Sequence, residues 1–149
     1  MLKDALKLKG RVGIVLKDKD GNVKETRDID NLVVTTGLNY IASRMKDATA
    51  TAMTHMALGS GTTAAAAGDT DLESILGSRE ALDSTTVTDN AVAYVCAFEA
   101  SDISGAVTEA GIFNASSGGT MLCRTVFSVL NIARDDSISV TWTITISAA

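Results

Sequence analysis

Proline is absent from this 149-residue chain, histidine occurs once, cysteine twice, and aromatic residues make up only 4%. Each shortage excludes something. Cys96 and Cys123 have no C-x-x-C spacing and are too few for a disulfide framework, so a pair of buried, reduced thiols is expected. One imidazole, His55, cannot build a histidine-rich metal centre. Basic surplus is also missing: 13 Lys and Arg stand against 18 Asp and Glu, a net charge of −5, which argues against neutralising many phosphates of a nucleic acid. The longest uncharged stretch, residues 48–68, is mostly Thr, Ala and Gly, with Met53, Met56 and Leu58 its only large apolar residues, and does not read as a membrane span. Residues 1–10 carry Lys3, Asp4, Lys7 and Lys9 and resemble no secretory signal, so synthesis in a cytoplasm is expected.

What is present is a globular composition, 46% hydrophobic, whose core must come from Val, Ile, Leu, Met and Ala. Residues 10–17 and 22–29 flank an Asp-Gly pair and read as a hairpin. The same stretch fails as a calcium loop, because Val23 and Ile29 fall where Gly and a bidentate Glu are needed. Leu38, Ile41, Ala42 and Met45 lie at i, i+3, i+4 and i+7, predicting an amphipathic helix capped by Thr35 or Thr36 and ending near Asp47. A short strand is expected at 54–58, then an exposed loop over 59–68, then a second short helix carrying Leu72, Ile75 and Leu76.

Beyond Ser78 the period is two. Strands are expected at 79–88, 91–100, 107–115, 120–130 and 137–147, the last with Ile138, Val140, Trp142, Ile144 and Ile146 on one face. In the strand at 120–130, Met121, Cys123, Phe127 and Val129 are expected to share the buried face. About seven or eight strands with frequent turn signals predict a mainly β protein, an antiparallel β-sandwich of jelly-roll-like kind with one or two short helices in its N-terminal half. Residues 10–149 read as one domain and residues 1–9 as an N-terminal arm, whose Leu2, Leu6 and Leu8 are expected to dock on a partner.

A search for chemistry yields no catalytic, cofactor-binding or metal-ligating set, and no enzymatic activity is expected. His55 reads as a half-buried packing residue. Gly59-Ser60-Gly61-Thr62-Thr63 clusters glycine and hydroxyls as phosphate loops do, but no lysine follows. Glu109 interrupts an apolar strand and reads as solvent-facing, with Gly111 as a bulge or close-packing position.

Several runs carry a resemblance. They are the Asp20-Gly21-Asn22 turn, Asn31-Leu32-Val33-Val34-Thr35-Thr36-Gly37-Leu38, Met56-Ala57-Leu58-Gly59-Ser60-Gly61-Thr62-Thr63 and Asp69-Thr70-Asp71-Leu72-Glu73. With them go Val107-Thr108-Glu109-Ala110-Gly111-Ile112-Phe113-Asn114 and the run from Gly119 to Phe127. Over residues 10–147 the chain resembles structural proteins of tailed bacteriophages, both the N-terminal modules of tail-fibre proteins and small stand-alone virion proteins such as capsid decoration, or cement, proteins. The resemblance implies a virion location, a major capsid protein or other virion protein as partner, and a homo-oligomer, with no nucleic acid or membrane bound. The 149 residues hold no repetitive shaft or receptor-binding tip, so the decoration class is expected first. A tail, collar, baseplate or short-fibre component is the alternative, and a carbohydrate-binding module the third.

Overall fold

The computed structural model describes residues 5–46 and 51–148, which form ten strands and one helix. In chain order these are β1 (Leu6–Lys17), β2 (Val23–Asp30), β3 (Leu32–Val33), α1 (Thr35–Lys46), β4 (His55–Gly59), β5 (Ile75–Ala81), β6 (Ser84–Thr88), β7 (Ala91–Phe98), β8 (Gly105–Phe113), β9 (Met121–Ile132) and β10 (Ser137–Ala148). They make two five-stranded antiparallel sheets, ordered β2-β1-β10-β7-β6 and β3-β9-β8-β4-β5, packed as a β-sandwich. No helix among the described residues is long and apolar enough to cross a membrane.

The period-two pattern positions the first sheet. Ile138, Val140, Trp142 and Ile144 of β10 are buried, as are Val12, Ile14 and Leu16 of β1 and Tyr94, Cys96 and Phe98 of β7. β10 sits between the other two strands, Trp142 opposite Val12 on one side and Tyr94 on the other. Successive side chains of a strand point to opposite faces, so this inward row meets the row from the second sheet and leaves Ser139 and Thr141 outside.

Four expectations about the strands and their boundaries need correction. The stretch 69–77 is not a helix: Ile75 and Leu76 pair with Gly59 and Leu58 in β5, and tertiary pairing overrides the local period. The single strand expected over 79–88 is two, because the chain crosses between sheets at Leu82 and Asp83. In β9, Leu130 and Ile132 face the core while Val129 is 46% exposed. The cause is a register shift against β8, where Val107 pairs with Leu130 but Glu109 pairs with Val126. Finally, residues 6–9 of the expected arm continue β1, with Leu6 opposite Ala148 and Leu8 opposite Ile146.

The helix is present but rotated. Gly37, Tyr40 and Ile41 face the sandwich, while Leu38, Ala42 and Met45 are exposed, Met45 by 83%. Gly37 sets this orientation, because its backbone lies so close to Leu122 that a Cβ there would collide with the Leu122 carbonyl. The packed stripe therefore runs one residue ahead of the one with the stronger apolar period.

Both thiols are free and buried. Burial pushes Cys96 up to about 12, with Asp83 and Glu80 adding to the effect, and raises Cys123 well above the ordinary thiol range. Native protein is expected to react with a thiol reagent only slowly, and denatured protein to titrate two thiols per chain; fast native modification would contradict this burial.

Candidate functional site

Two regions concentrate side chains that sequence reasoning treats as ordinary. The first covers the outer face of the second sheet. Residues 59–74 fold over β8 and β9 and bury a second, smaller apolar cluster of Val34, Ala57, Leu72, Phe113 and Met121. Both faces of β9 are thereby covered, which is why Met121 to Thr125 are consecutively buried.

Glu109 lies at the centre of this covering segment and is fully buried, a correction to its expected solvent-facing position. Its Oε1 accepts the backbone N–H of Gly61 at 2.9 Å and of Ser74 at 2.8 Å, and its Oε2 accepts that of Glu73 at 3.0 Å. Arg124, on the neighbouring strand, donates its Nε to Oε2 at 3.0 Å and brings Nη2 within 2.9 Å. Nη1 donates to Asp69 Oδ2 at 2.8 Å, and Nη2 also donates to the Thr63 carbonyl at 3.1 Å, with Glu73 Oε2 3.7 Å from it. The carboxylates in turn hold the segment's backbone, Asp69 accepting from Ala66 and Glu73 from Thr63.

Glycine allows this closeness. A Cβ on Gly61 would sit 2.5 Å from Glu109 Oε1, and one on Gly59 would sit 2.6 Å from it. The glycine-rich run that imitates a phosphate loop thus wraps an anion supplied by its own chain. The sequence signal lay in two opposite charges, Glu109 and Arg124, each inside an apolar run of adjacent strands. Chemically the set is closed: three backbone donors and a guanidinium saturate Glu109, leaving it no lone pair directed at a substrate.

The electrostatics follow. The Ala66 N–H first, then Arg124, holds Asp69 below its ordinary range, and the Thr63 contacts, then Arg124, do the same for Glu73. Carboxylates depressed in the folded state contribute stability above the usual carboxylate range of about 4, and that contribution is lost as pH falls through and below it. Acidification is therefore expected to release residues 59–74 before the sandwich core unfolds. Hydrogen exchange at the Thr63 and Ala66 amides, which Glu73 and Asp69 hold, checks this, and uniform loss of protection across the chain would contradict it.

The second region is one end of the sandwich, where residues of α1, β6, β7 and β10 line a common cavity. A cavity of about 370 Å³ lies there, lined chiefly by Tyr40, Ile41, Met53, Val92, Tyr94 and Ile144. Burial, and then the neighbouring Tyr40, pushes the Tyr94 hydroxyl up to about 12. The Arg44 guanidinium lies 6.0 Å from the Tyr40 ring centre. Val87, which lines this cavity, is 70% exposed, and Leu38 and Met45, elsewhere on α1, are 45% and 83% exposed. The lining is mostly apolar, with few polar groups converging on one point.

The sequence-predicted docking residues divide between environments. Leu6 is 76% exposed, Leu8 packs against the core, and Leu2 lies outside the described residues. His55 is half-buried, with its Nδ1 2.8 Å from the Thr54 hydroxyl. Among the described residues no group of three or more His, Cys, Asp or Glu is placed to hold a metal ion. Comparison with protein-family models, curated proteins and solved structures finds no match to this chain.

Proposed function

We propose that the chain is a structural component of a tailed-bacteriophage virion, a capsid decoration protein that binds the outside of an assembled head and stabilises it. The observation that carries this reading is an apolar-lined cavity at one end of the sandwich, with Val87 exposed at its lining and Leu38 and Met45 exposed on the helix that contributes Tyr40 and Ile41 to it. Exposed apolar side chains beside a lined cavity are a feature of surfaces that contact macromolecules. The strapped outer face supports the same reading, since a protein that clamps neighbouring subunits must hold its own shape under load. Each copy adds a modest contact, and repetition over a lattice sums many modest contacts through avidity. The net charge of −5 suits an outer face that should not adhere to nucleic acid.

The test is addition of purified chain to preformed, expanded heads that lack it. Saturable binding with a rise in the heads' melting temperature is expected, and Met45→Asp should weaken it while leaving the isolated protein's stability nearly unchanged. Failure to bind any head while remaining in purified tails would replace this reading with a tail, collar or baseplate role.

A further inference from the structure

We infer that β6 is the edge at which the protein accepts an extended segment of a neighbouring protein, added as a sixth strand to the first sheet, and that this segment is basic at both ends. The inference rests on the assembly role proposed above and specifies one of its contacts.

Edge strands present unpaired backbone donors and acceptors, and proteins usually blunt them. Three of the four edges here are blunted. β2 carries Lys24, Glu25, Arg27, Asp28 and Asp30. β3 has two residues, and β5 is bent at Gly77, where φ is +64, and shifts register against β4. β6 has none of these devices. Its sequence is Ser-Thr-Thr-Val-Thr, all five residues are exposed, and its pairing with β7 is unbroken from Ser84 opposite Val95 to Thr88 opposite Ala91. Thr85 and Val87 also line the cavity, so alternate side chains of an added strand fall on the cavity side.

Charge selects the occupant. Between Arg79 and Arg124 the chain carries Glu80, Asp83, Asp89, Glu99, Asp102 and Glu109 and no lysine or arginine. Asp83 and Asp89 are exposed and stand immediately outside the two ends of β6. A second copy pairing through its own β6, antiparallel about Thr86, would set Asp83 opposite Asp89 at both ends, and like charges directly opposite are destabilising. A segment with lysine or arginine at its ends meets complementary charge there instead.

The test is an NMR titration of the full isotope-labelled chain with two heptapeptides, Lys-Thr-Val-Thr-Val-Thr-Lys and its Glu-ended counterpart. At low salt the Lys-ended peptide is expected to shift the amides of residues 84–88 saturably and to bind about tenfold more tightly than the other. The double variant Asp83→Asn, Asp89→Asn should keep its fold, because asparagine retains the oxygen that accepts the Ala97 N–H and tolerates the positive φ of residue 89. In that variant the preference should fall to about threefold or less. Absence of shifts at 84–88, or equal affinities for the two peptides in the unmodified protein, would overturn the inference. So would a concentration-dependent dimer that shifts those amides without peptide, since it would assign the edge to a second copy. Head binding separates this inference from the reading beneath it. Peptide capture at β6 without head addition removes the virion role and keeps the strand-accepting edge. Head addition undiminished by Thr86→Lys removes the edge as the contact and keeps the role.

Discussion

Replacing Glu109 by glutamine is expected to destabilise the protein by about 3 to 5 kcal/mol, the range for removing one partner of a buried ion pair. Glutamine keeps the volume but loses the charge, and its amide must direct donor hydrogens at a site already filled with donors. Gly61, Glu73 and Ser74 present N–H groups there, and Arg124 presents two nitrogens. The damage should be local. Residues 59–74 are expected to become protease-sensitive while the Trp142 fluorescence of the core remains native, and denaturant unfolding gives the magnitude. A double-mutant cycle with Arg124→Met should show strong coupling, because the second substitution removes the guanidinium that the first leaves uncompensated. A loss below about 1 kcal/mol would mean that Glu109 is solvated.

The other large effect is expected at the centre of the sandwich. Trp142 is fully buried, so Trp142→Ala should cost about 3 to 5 kcal/mol through lost burial and the cavity left behind. Trp142→Phe is expected to cost much less. It retains most of the apolar contact and removes an indole N–H that has no acceptor among the described residues. Equal losses from the two substitutions would show that the indole nitrogen has a partner after all. In the unmodified protein, emission from this tryptophan should be blue-shifted and protected from quencher.

The contrast between these two residues shows what the amino-acid order reveals. Trp142 was legible because β10 alternates without a slip from Ile138 to Ile146, so a local period fixes which side is buried. The same logic placed Tyr94, Cys96 and Phe98 correctly. It failed in β9, where a register shift against β8 turns Val129 outward and Leu130 inward. A bulge depends on the partner strand, so no period within one strand records it. Helix α1 misled differently, its apolar stripe being real but docked one residue away because Gly37 must meet the Leu122 backbone. Glu109 was hidden by the longest-range cause. Its donors come from residues 61, 73 and 74, which read as loop and helix until the segment is seen folded onto the outer face of the sheet.

The strap and the open end together suggest a division of labour. The Glu109 network seals one face of the sandwich, whereas Thr85 and Val87 of the β6 edge line the cavity with Tyr40 and Ile41 of α1.

The measurement that bears most directly on the proposed role is the number of copies of this chain per particle, counted against the major capsid protein in purified virions. A decoration protein follows head symmetry, and on the order of hundreds of copies are expected. A handful or a few dozen copies, or none at all, would contradict the capsid assignment.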